Sequence, residues 1–436
     1  MTSVRKVAIV GGARIPFCRS NTAYAKLSNH QMLTAALNAL VDKYDLAGKV
    51  VGEVAGGTVL KLNPQDTMTR EAVLESKLAN ETPAYDVGQY CGTSLETVML
   101  VANKIALGQI ECGIAAGTDT TSDAPVGVNE GLRKIFMQVN QAKTGAERAK
   151  ALAKIRPKHV VPNIPQNAEA RTGKSMGQSC EDMAQAWGIA REDQDQLAYE
   201  SHKKAAAAYD SGFFDDLVFP CNGVQRDNNL RPDSTLEKLA TLKPVFSKSD
   251  AATLTAANST PLTDGAAAVF LCSEDYAKKN KLPVLAYFVT GQTAAVDFVK
   301  GNESRDNFVR GAEGLLMAPA QAVPNMLDRM GLSFDDIDFF EIHEAFAAQV
   351  LCTLKAWEDP RFCKEYLGKD KPMGAVPREK LNVKGSSLAV GHPFGATGAR
   401  IVANLAKILE ENKGGRGLIS ICTAGGMGVA AIIERP

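Results

Sequence analysis

The sequence predicts an α/β fold with a covered, mostly parallel sheet, and three observations predict it. Strand-like and helix-like segments alternate through the first third, the last third repeats that order, and a compositionally different stretch separates the two. Such alternation is the pattern of strands joined by crossover helices.

The elements follow in order. Lys6 to Gly11 is an apolar run closed by Gly11-Gly12, and Asn29 to Leu46 has helical spacing. Val51 to Leu60 reads as a strand, Asp66 to Leu78 as a helix, and Leu95 to Leu107 as the helix that follows Cys91. In the last third, Val284 to Val289 and Ile337 to Ile342 read as strands and Pro319 to Met330 as a helix. A further helix runs from about Gly395 to Glu411, and Gly417 to Cys422 returns to strand.

The two thirds look like copies. Val7-Ala8-Ile9-Val10-Gly11-Gly12 resembles Leu285-Ala286-Tyr287-Phe288-Val289-Thr290-Gly291, and Val101-Ala102-Asn103 recurs as Val402-Ala403-Asn404. Cys91 lies ten positions before the first triplet and His392 ten before the second. A triplet alone matches by chance; joined to the repeated strand–helix order it predicts a duplicated α/β layer. Cys91 and His392 would then stand at equivalent helix N-termini.

From Asp123 to Lys248 the sequence changes character. It opens helical and basic, with Arg133, Lys134, Lys143, Arg148, Lys150, Lys154, Arg156 and Lys158, and passes Pro157, Pro162 and Pro165 into a helix-rich stretch, Glu181 to Tyr209. A solvated helix face is the plain reading of such a run. A phosphate-rich ligand, a partner subunit or a membrane surface are the alternatives. The predicted organisation is a first half over 1–122, an inserted loop domain over 123–248, a return segment over 249–280 and a second half over 281–436.

With 436 residues the chain is long enough for two to three domains at roughly 150 residues each. Its 45% hydrophobic and 22% charged residues are those of an ordinary globular protein. A formal net charge of zero gives no global field for nucleic acid or an anionic membrane. Met1-Thr2-Ser3-Val4-Arg5-Lys6 runs straight into a strand, leaving no room for a secretory apolar core of ~7–15 residues. No apolar run reaches the ~20 residues of a membrane span. Nine cysteines, an odd number spread over a long chain, argue for reduced thiols and a cytoplasmic protein.

Three glycine-flanked segments carry chemistry. Cys91 sits in Gln89-Tyr90-Cys91-Gly92-Thr93-Ser94, where strand gives way to helix. A helix N-terminus lowers a thiol pKa and favours the nucleophilic thiolate, although the same stretch would suit a small buried cysteine. His392, in Gly391-His392-Pro393-Phe394-Gly395, places an imidazole where it can take a thiol proton. Cys422 enters Thr423-Ala424-Gly425-Gly426-Met427-Gly428, a turn whose N–H groups can cradle an oxyanion. His343-Glu344-Ala345-Phe346 closes another strand; His343 and Cys422, taken singly, would serve equally as core residues. No Cys-x-x-Cys or His-x-x-x-His pair suggests a metal site. Gly11-Gly12 lacks the continuation of a nucleotide loop.

Together these segments resemble the thiolase family from end to end. The matches are Arg14-Ile15-Pro16-Phe17, Cys91-Gly92-Thr93-Ser94, Thr255-Ala256-Ala257-Asn258 with Asp264-Gly265-Ala266-Ala267, His343-Glu344-Ala345-Phe346, Gly391-His392-Pro393, and Cys422 to Gly428. The resemblance implies duplicated βαβαβαββ halves in a five-layered α-β-α-β-α core with an inserted loop domain. The basic insertion, and His343 where Asn is common, look most like the branch that includes trifunctional-complex β subunits.

The resemblance also implies roles. Cys91 would carry the acyl group, His392 would accept its proton and help bind an oxyanion, and Cys422 would act as acid and base. His343 and the N–H of Ala424, which replaces a common glycine, would complete the oxyanion sites. Met176, Arg231, Ala256, Thr260, Leu315, Met317 and Phe346 fall on substrate- or CoA-contacting segments. The family's Met-Gly-x-Gly-Pro has become Leu315-Leu316-Met317-Ala318-Pro319. The implied activity is thiolysis of 3-ketoacyl-CoA in fatty-acid β-oxidation, with CoA as co-substrate and no resident cofactor. Biosynthetic acetoacetyl-CoA condensation is the alternative. A ketoacyl synthase would need a second histidine where Cys422 stands, and a scaffold subunit would not need the full set. Implied partners are acyl-CoA and CoA, a second copy or four copies of the chain, and a hydratase/dehydrogenase α subunit.

Overall fold

The structure, a computed structural model, describes residues 4–61, 67–165 and 168–436. Met1 to Ser3, and Asp66 of the predicted second helix, lie outside the described residues.

Ten strands are present among the described residues: β1 (Val7–Arg14), β2 (Cys18–Arg19), β3 (Val54–Gly56), β4 (Ala84–Asp86), β5 (Cys112–Asp119), β6 (Thr263–Ser273), β7 (Ala286–Ala295), β8 (Phe339–Ile342), β9 (Gly415–Thr423) and β10 (Met427–Arg435). Their order is β4-β3-β5-β6-β1-β7-β10-β9-β8, with β2 paired to β6. The path is a duplication: β3-β5-β6-β1 corresponds to β8-β9-β10-β7. Helix Thr93–Ala106 leads into β5 and helix Thr397–Glu411 into β9, so the repeated Val-Ala-Asn triplets lie on corresponding helices.

The mostly parallel sheet expected from the sequence is not what forms. β3 is parallel to β4 and β5, and β8 to β9. The central pairings β5–β6, β6–β1, β1–β7, β7–β10 and β10–β9 are antiparallel. For β9 and β10 the reason is connection length. Only Ala424–Gly426 separates β9 from β10, whereas a parallel crossover needs about a dozen residues. The predicted strand Val51–Leu60 shortens to β3, while helix Pro319–Met330 has the expected bounds.

Alternation along the strands sorts side chains into layers. Ala8 and Val10 of β1 face a cluster with Leu33, Leu37 and Leu40 of helix Asn29–Lys43. Val7 and Ile9 face the opposite way, into a cluster with Val98 and Val101 of the first-half helix and Ile401 and Leu405 of its counterpart. Val429 and Ala431 of β10 enter that same central cluster, while Ala430 and Ile432 face Val323, Leu327 and Val350 on the far side. Helices therefore lie outside, between and outside two sheet halves, giving five layers. The central one is shared.

The insertion begins with three short helices, Glu130–Gln141, Gly145–Leu152 and Pro157–Val160, in which only Ile135 and Ala151 are buried. Apolar side chains are exposed beside the basic ones: Val126, Val128, Phe136, Met137, Leu152, Val160, Val161 and Ile164. Helices Met176–Trp187 and Arg191–Asp210 pack onto the body instead. Cys180, Met183 and Leu197 join the second-half core. Arg14 of β1 ties the insertion down by forking onto Asp227 at 2.6 and 2.7 Å, both side chains buried.

Candidate functional site

Cys91 occupies a one-turn 3₁₀ segment, Tyr90–Gly92, that opens directly into helix Thr93–Ala106. Tyr90 holds φ at 48°, in the left-handed region that a bulky residue seldom adopts. Thr93 secures the turn: its hydroxyl donates to the Tyr90 carbonyl at 2.7 Å and accepts from the Gln89 N–H at 3.0 Å. The sequence leads one to expect a lowered thiol pKa at this helix end. Instead it is pushed up to about 12, because burial outweighs the Ala424 N–H and Cys91's own N–H, and the Asp119 carboxylate adds to the rise. Cys91 rests as a thiol, so it needs a base.

His392 precedes the corresponding 3₁₀ turn, Phe394–Ala396, which leads into helix Thr397–Glu411. The equivalence expected from the repeat holds for the helices and misses by about one turn for the residues. The two turns pack against each other. The His392 N–H donates to Thr263 Oγ1 at 3.2 Å, and its Nδ1 lies 2.6 Å from Thr397 Oγ1. His343 follows β8, its N–H bonded to the Ser420 carbonyl of β9 at 2.8 Å and its Nδ1 lying 2.7 Å from Ser387 Oγ. The two imidazoles lie 4.1 Å apart between centroids, their planes tilted by 48°. Among the described residues, each has a buried Nε2 without a hydrogen-bond partner. Burial, reinforced by the Arg400 guanidinium, lowers both: His392 to about 3 and His343 well below its ordinary value, with His392 contributing to the latter. Both rest neutral.

Cys422 is the last but one residue of β9, fully buried, its thiol raised well above the ordinary value by burial and then by the charge that Cys91 would carry. The turn after it places Gly425 at φ 75° and Gly426 at φ 69°, while Ala424 keeps a negative φ and its donor. The Gly425 N–H is taken by Glu169 Oε1 of the insertion at 2.6 Å.

Several residues that hold the site have no motif to announce them. Asp119, at the end of β5, accepts from the N–H groups of Val59, Leu60 and Gly395 and from the Thr58 hydroxyl. It pins the His392 turn to the first half, and burial raises its pKa to about 6. Ser94 accepts from the Ala399 N–H at 2.8 Å, joining the two helix starts. A Cβ on Gly117 would run into the Gly395 carbonyl, so only glycine allows β5 this close to the turn. Glu169, Ser387, Thr397 and Arg400 likewise escape sequence reading; Thr397, five residues beyond His392 in the same glycine-rich segment, was the most findable.

The remaining predicted contact residues are scattered. Arg231 and Ala256 are exposed, and Met176 and Thr260 half-buried. Arg231 donates to the carbonyls of Asn228 and Leu230, and the Thr260 hydroxyl donates to the Ala345 carbonyl at 3.0 Å. Leu315, Met317 and Phe346 are buried in the second-half core. Among the described residues, no group of three or more His, Cys, Asp or Glu is arranged to hold a metal ion. None of the described helices is long and apolar enough to cross a membrane.

The fold and these residues have counterparts among known proteins. Residues 7–275 match the family "Thiolase, N-terminal domain" and residues 306–435 "Thiolase, C-terminal domain". The chain is 39% identical over 435 residues to a 3-ketoacyl-CoA thiolase of Aliivibrio fischeri, covering 98% of this chain and 95% of that one. It is 37% identical, at 98% and 97% coverage, to a 3-ketoacyl-CoA thiolase of Yersinia enterocolitica. Human mitochondrial 3-ketoacyl-CoA thiolase superposes with a TM-score of 0.80 at 26% identity, over 100% of both chains. The acetyl-CoA acetyltransferase of Bacillus anthracis does so with 0.79 at 28%, also over 100% of both. The class these likenesses define is an acyltransferase that uses CoA. Within it, the chain belongs to the thiolase family.

Proposed function

We propose that this protein cleaves 3-ketoacyl-CoA with CoA, yielding acetyl-CoA and an acyl-CoA two carbons shorter, as a step of fatty-acid β-oxidation. The observation that supports this most is the meeting of two cysteines and two neutral histidines where the halves join.

In this reading His392 Nε2 takes the Cys91 proton as sulfur bonds to the 3-keto carbon. The bond between C2 and C3 then breaks; its electron pair goes to the thioester enolate, and Cys422 protonates the enolate carbon. Acetyl-CoA leaves, with the acyl group on Cys91. The Cys422 thiolate next removes the proton of incoming CoA, whose sulfur attacks the acyl carbonyl. Cys91 departs as thiolate and recovers its proton from His392. The enolate oxygen falls to His343 and His392, and the tetrahedral oxyanion on the acyl carbon to the N–H groups of Cys91 and Ala424. A raised Cys422 pKa suits this role, because an acid must hold its proton until carbon needs it.

Arg231, Thr260 and Ala256 would meet CoA, and Met176, Leu315, Met317 and Phe346 the acyl chain. The inserted segment 123–248 would supply Met176 and Arg231 to that surface, between halves at 1–122 with 249–280 and at 281–436. Its basic stretch 133–158, where apolar side chains are also exposed, is the proposed contact for a hydratase/dehydrogenase subunit or a membrane. The protein would act in the cytoplasm as a dimer or tetramer.

Thiolysis of 3-ketoacyl-CoA substrates of several lengths by wild type and Cys91→Ala tests the assignment. The variant is expected to fold, lose turnover and resist acyl labelling. Retained turnover would overturn the role of Cys91, and wild-type activity confined to acetoacetyl-CoA would favour the condensing enzyme.

A further inference from the structure

His343 and His392 lie side by side with their rings tilted by 48°, each buried with one ring nitrogen bonded to a hydroxyl and, among the described residues, Nε2 without a partner. A neutral imidazole carries its proton on one nitrogen only, so the hydroxyl at Nδ1 decides what Nε2 can do. The two hydroxyls decide oppositely.

Thr397 has a single hydroxyl hydrogen, and the Pro393 carbonyl, which can only accept, lies 3.2 Å from its oxygen and gives that hydrogen a partner other than His392. Thr397 Oγ1 therefore accepts from His392 Nδ1–H, leaving a bare lone pair on His392 Nε2. Ser387 is placed differently. Arg400 Nη2 lies 2.7 Å from Ser387 Oγ, the same distance as His343 Nδ1. A guanidinium only donates. Ser387 must accept from it, and among the described residues His343 Nδ1 is the acceptor available to the Ser387 hydrogen. The His343 proton is thereby displaced to Nε2.

We infer that Ser387, oriented by Arg400, is a positioning residue that fixes His343 as the Nε2–H tautomer, so that the neighbouring histidines present one donor and one acceptor. Neither alternative serves the chemistry: two bare nitrogens provide no donor for an enolate, and two N–H groups provide no base. Arg400 is itself held by the structure. It is fully buried, with Nη1 3.3 Å from Ser386 Oγ and 3.9 Å from Glu341 Oε2. Its charge also disfavours an imidazolium on either ring. The inference rests on the proposed donor and base roles of the two histidines, but the proton positions stand on the hydrogen bonds alone.

The test begins without substrate. Full-length protein labelled with ¹⁵N in its five histidines gives ring-nitrogen spectra that report protonation directly, with the two residues assigned through His343→Gln and His392→Gln. The expected spectrum shows His343 protonated at Nε2 and His392 at Nδ1. A proton on His343 Nδ1 overturns the inference, whatever the enzyme catalyses. Ser387→Ala should then release His343 to a mixture of tautomers. It should lower kcat for thiolysis about ten- to a hundredfold with KM nearly unchanged, the scale of a lost positioning partner. Ser387→Thr, which keeps the hydroxyl, should recover most of the loss. A Ser387→Ala enzyme with wild-type kcat and an unchanged His343 spectrum would refute the role.

Discussion

At the scale of single residues, burial is the largest influence on the titratable side chains of the site. Cys91, His343 and His392 all rest uncharged for that reason, and so does His202. The His202 pKa is lowered to about 4, first by burial and then by Arg231, with Asp233 pulling the other way. Its Nδ1 accepts the Arg231 N–H at 3.2 Å, a bond the neutral ring can make. The sign of the pH effect follows. Between about pH 6.5, where an unfolded histidine titrates, and pH 4, the unfolded chain binds the extra proton, so the stability His202 contributes is present above that window and lost as pH falls through it. The loss is about 3 kcal/mol for a group shifted this far. His202→Asn keeps an acceptor and removes the titration. Urea unfolding at pH 7 and pH 4.5 should show a shallower decline for the variant than for wild type; equal slopes would mean that His202 does not titrate on unfolding.

At the scale of elements, the sequence revealed which segments fold and misjudged how they pair. Helix Pro319–Met330 was readable to the residue because apolar spacing and a following glycine mark both ends. The antiparallel centre was not, since alternation along a strand says which side chains are buried and nothing of which neighbour it meets. The site divides the same way. Cys91, His392 and Cys422 lie beside glycines and are visible in the sequence. Ser387 and Asp119 are ordinary polar residues whose partners, His343 and Gly395, sit 44 and 276 positions away. The charge pattern of the sequence marks the insertion as basic, and the structure adds its exposed Phe136, Met137 and Val160. A segment that is both cationic and apolar suits a surface that is both anionic and apolar. Removing 133–158 is expected to leave thiolysis of soluble substrate near wild type and to abolish co-purification with a hydratase/dehydrogenase subunit or flotation with anionic vesicles. If neither association changes, the segment is a solvated face.

At the scale of the whole molecule, the question is whether a duplicated chain folds as two units. Each half has a core of its own on its outer face, one around Leu33, Leu37 and Phe270 and one around Val323, Leu327 and Trp357. Neither half closes alone. Val98 and Val101 from the first and Ile401, Ile419 and Val429 from the second belong to a single cluster, and β1 pairs directly with β7. Separating the halves would expose that central layer and break the Asp119 and Ser94 bonds that join the helix starts. One cooperative transition is therefore expected in place of two. The placement of tryptophan makes this measurable. Both tryptophans, Trp187 and Trp357, lie in the second-half cluster, so their fluorescence reports that side, whereas far-UV circular dichroism reports helices throughout. At one fixed protein concentration the two urea curves should share a midpoint and slope. A fluorescence midpoint displaced from the dichroism midpoint would show that the halves come apart before they unfold, and that the site at their junction is lost first.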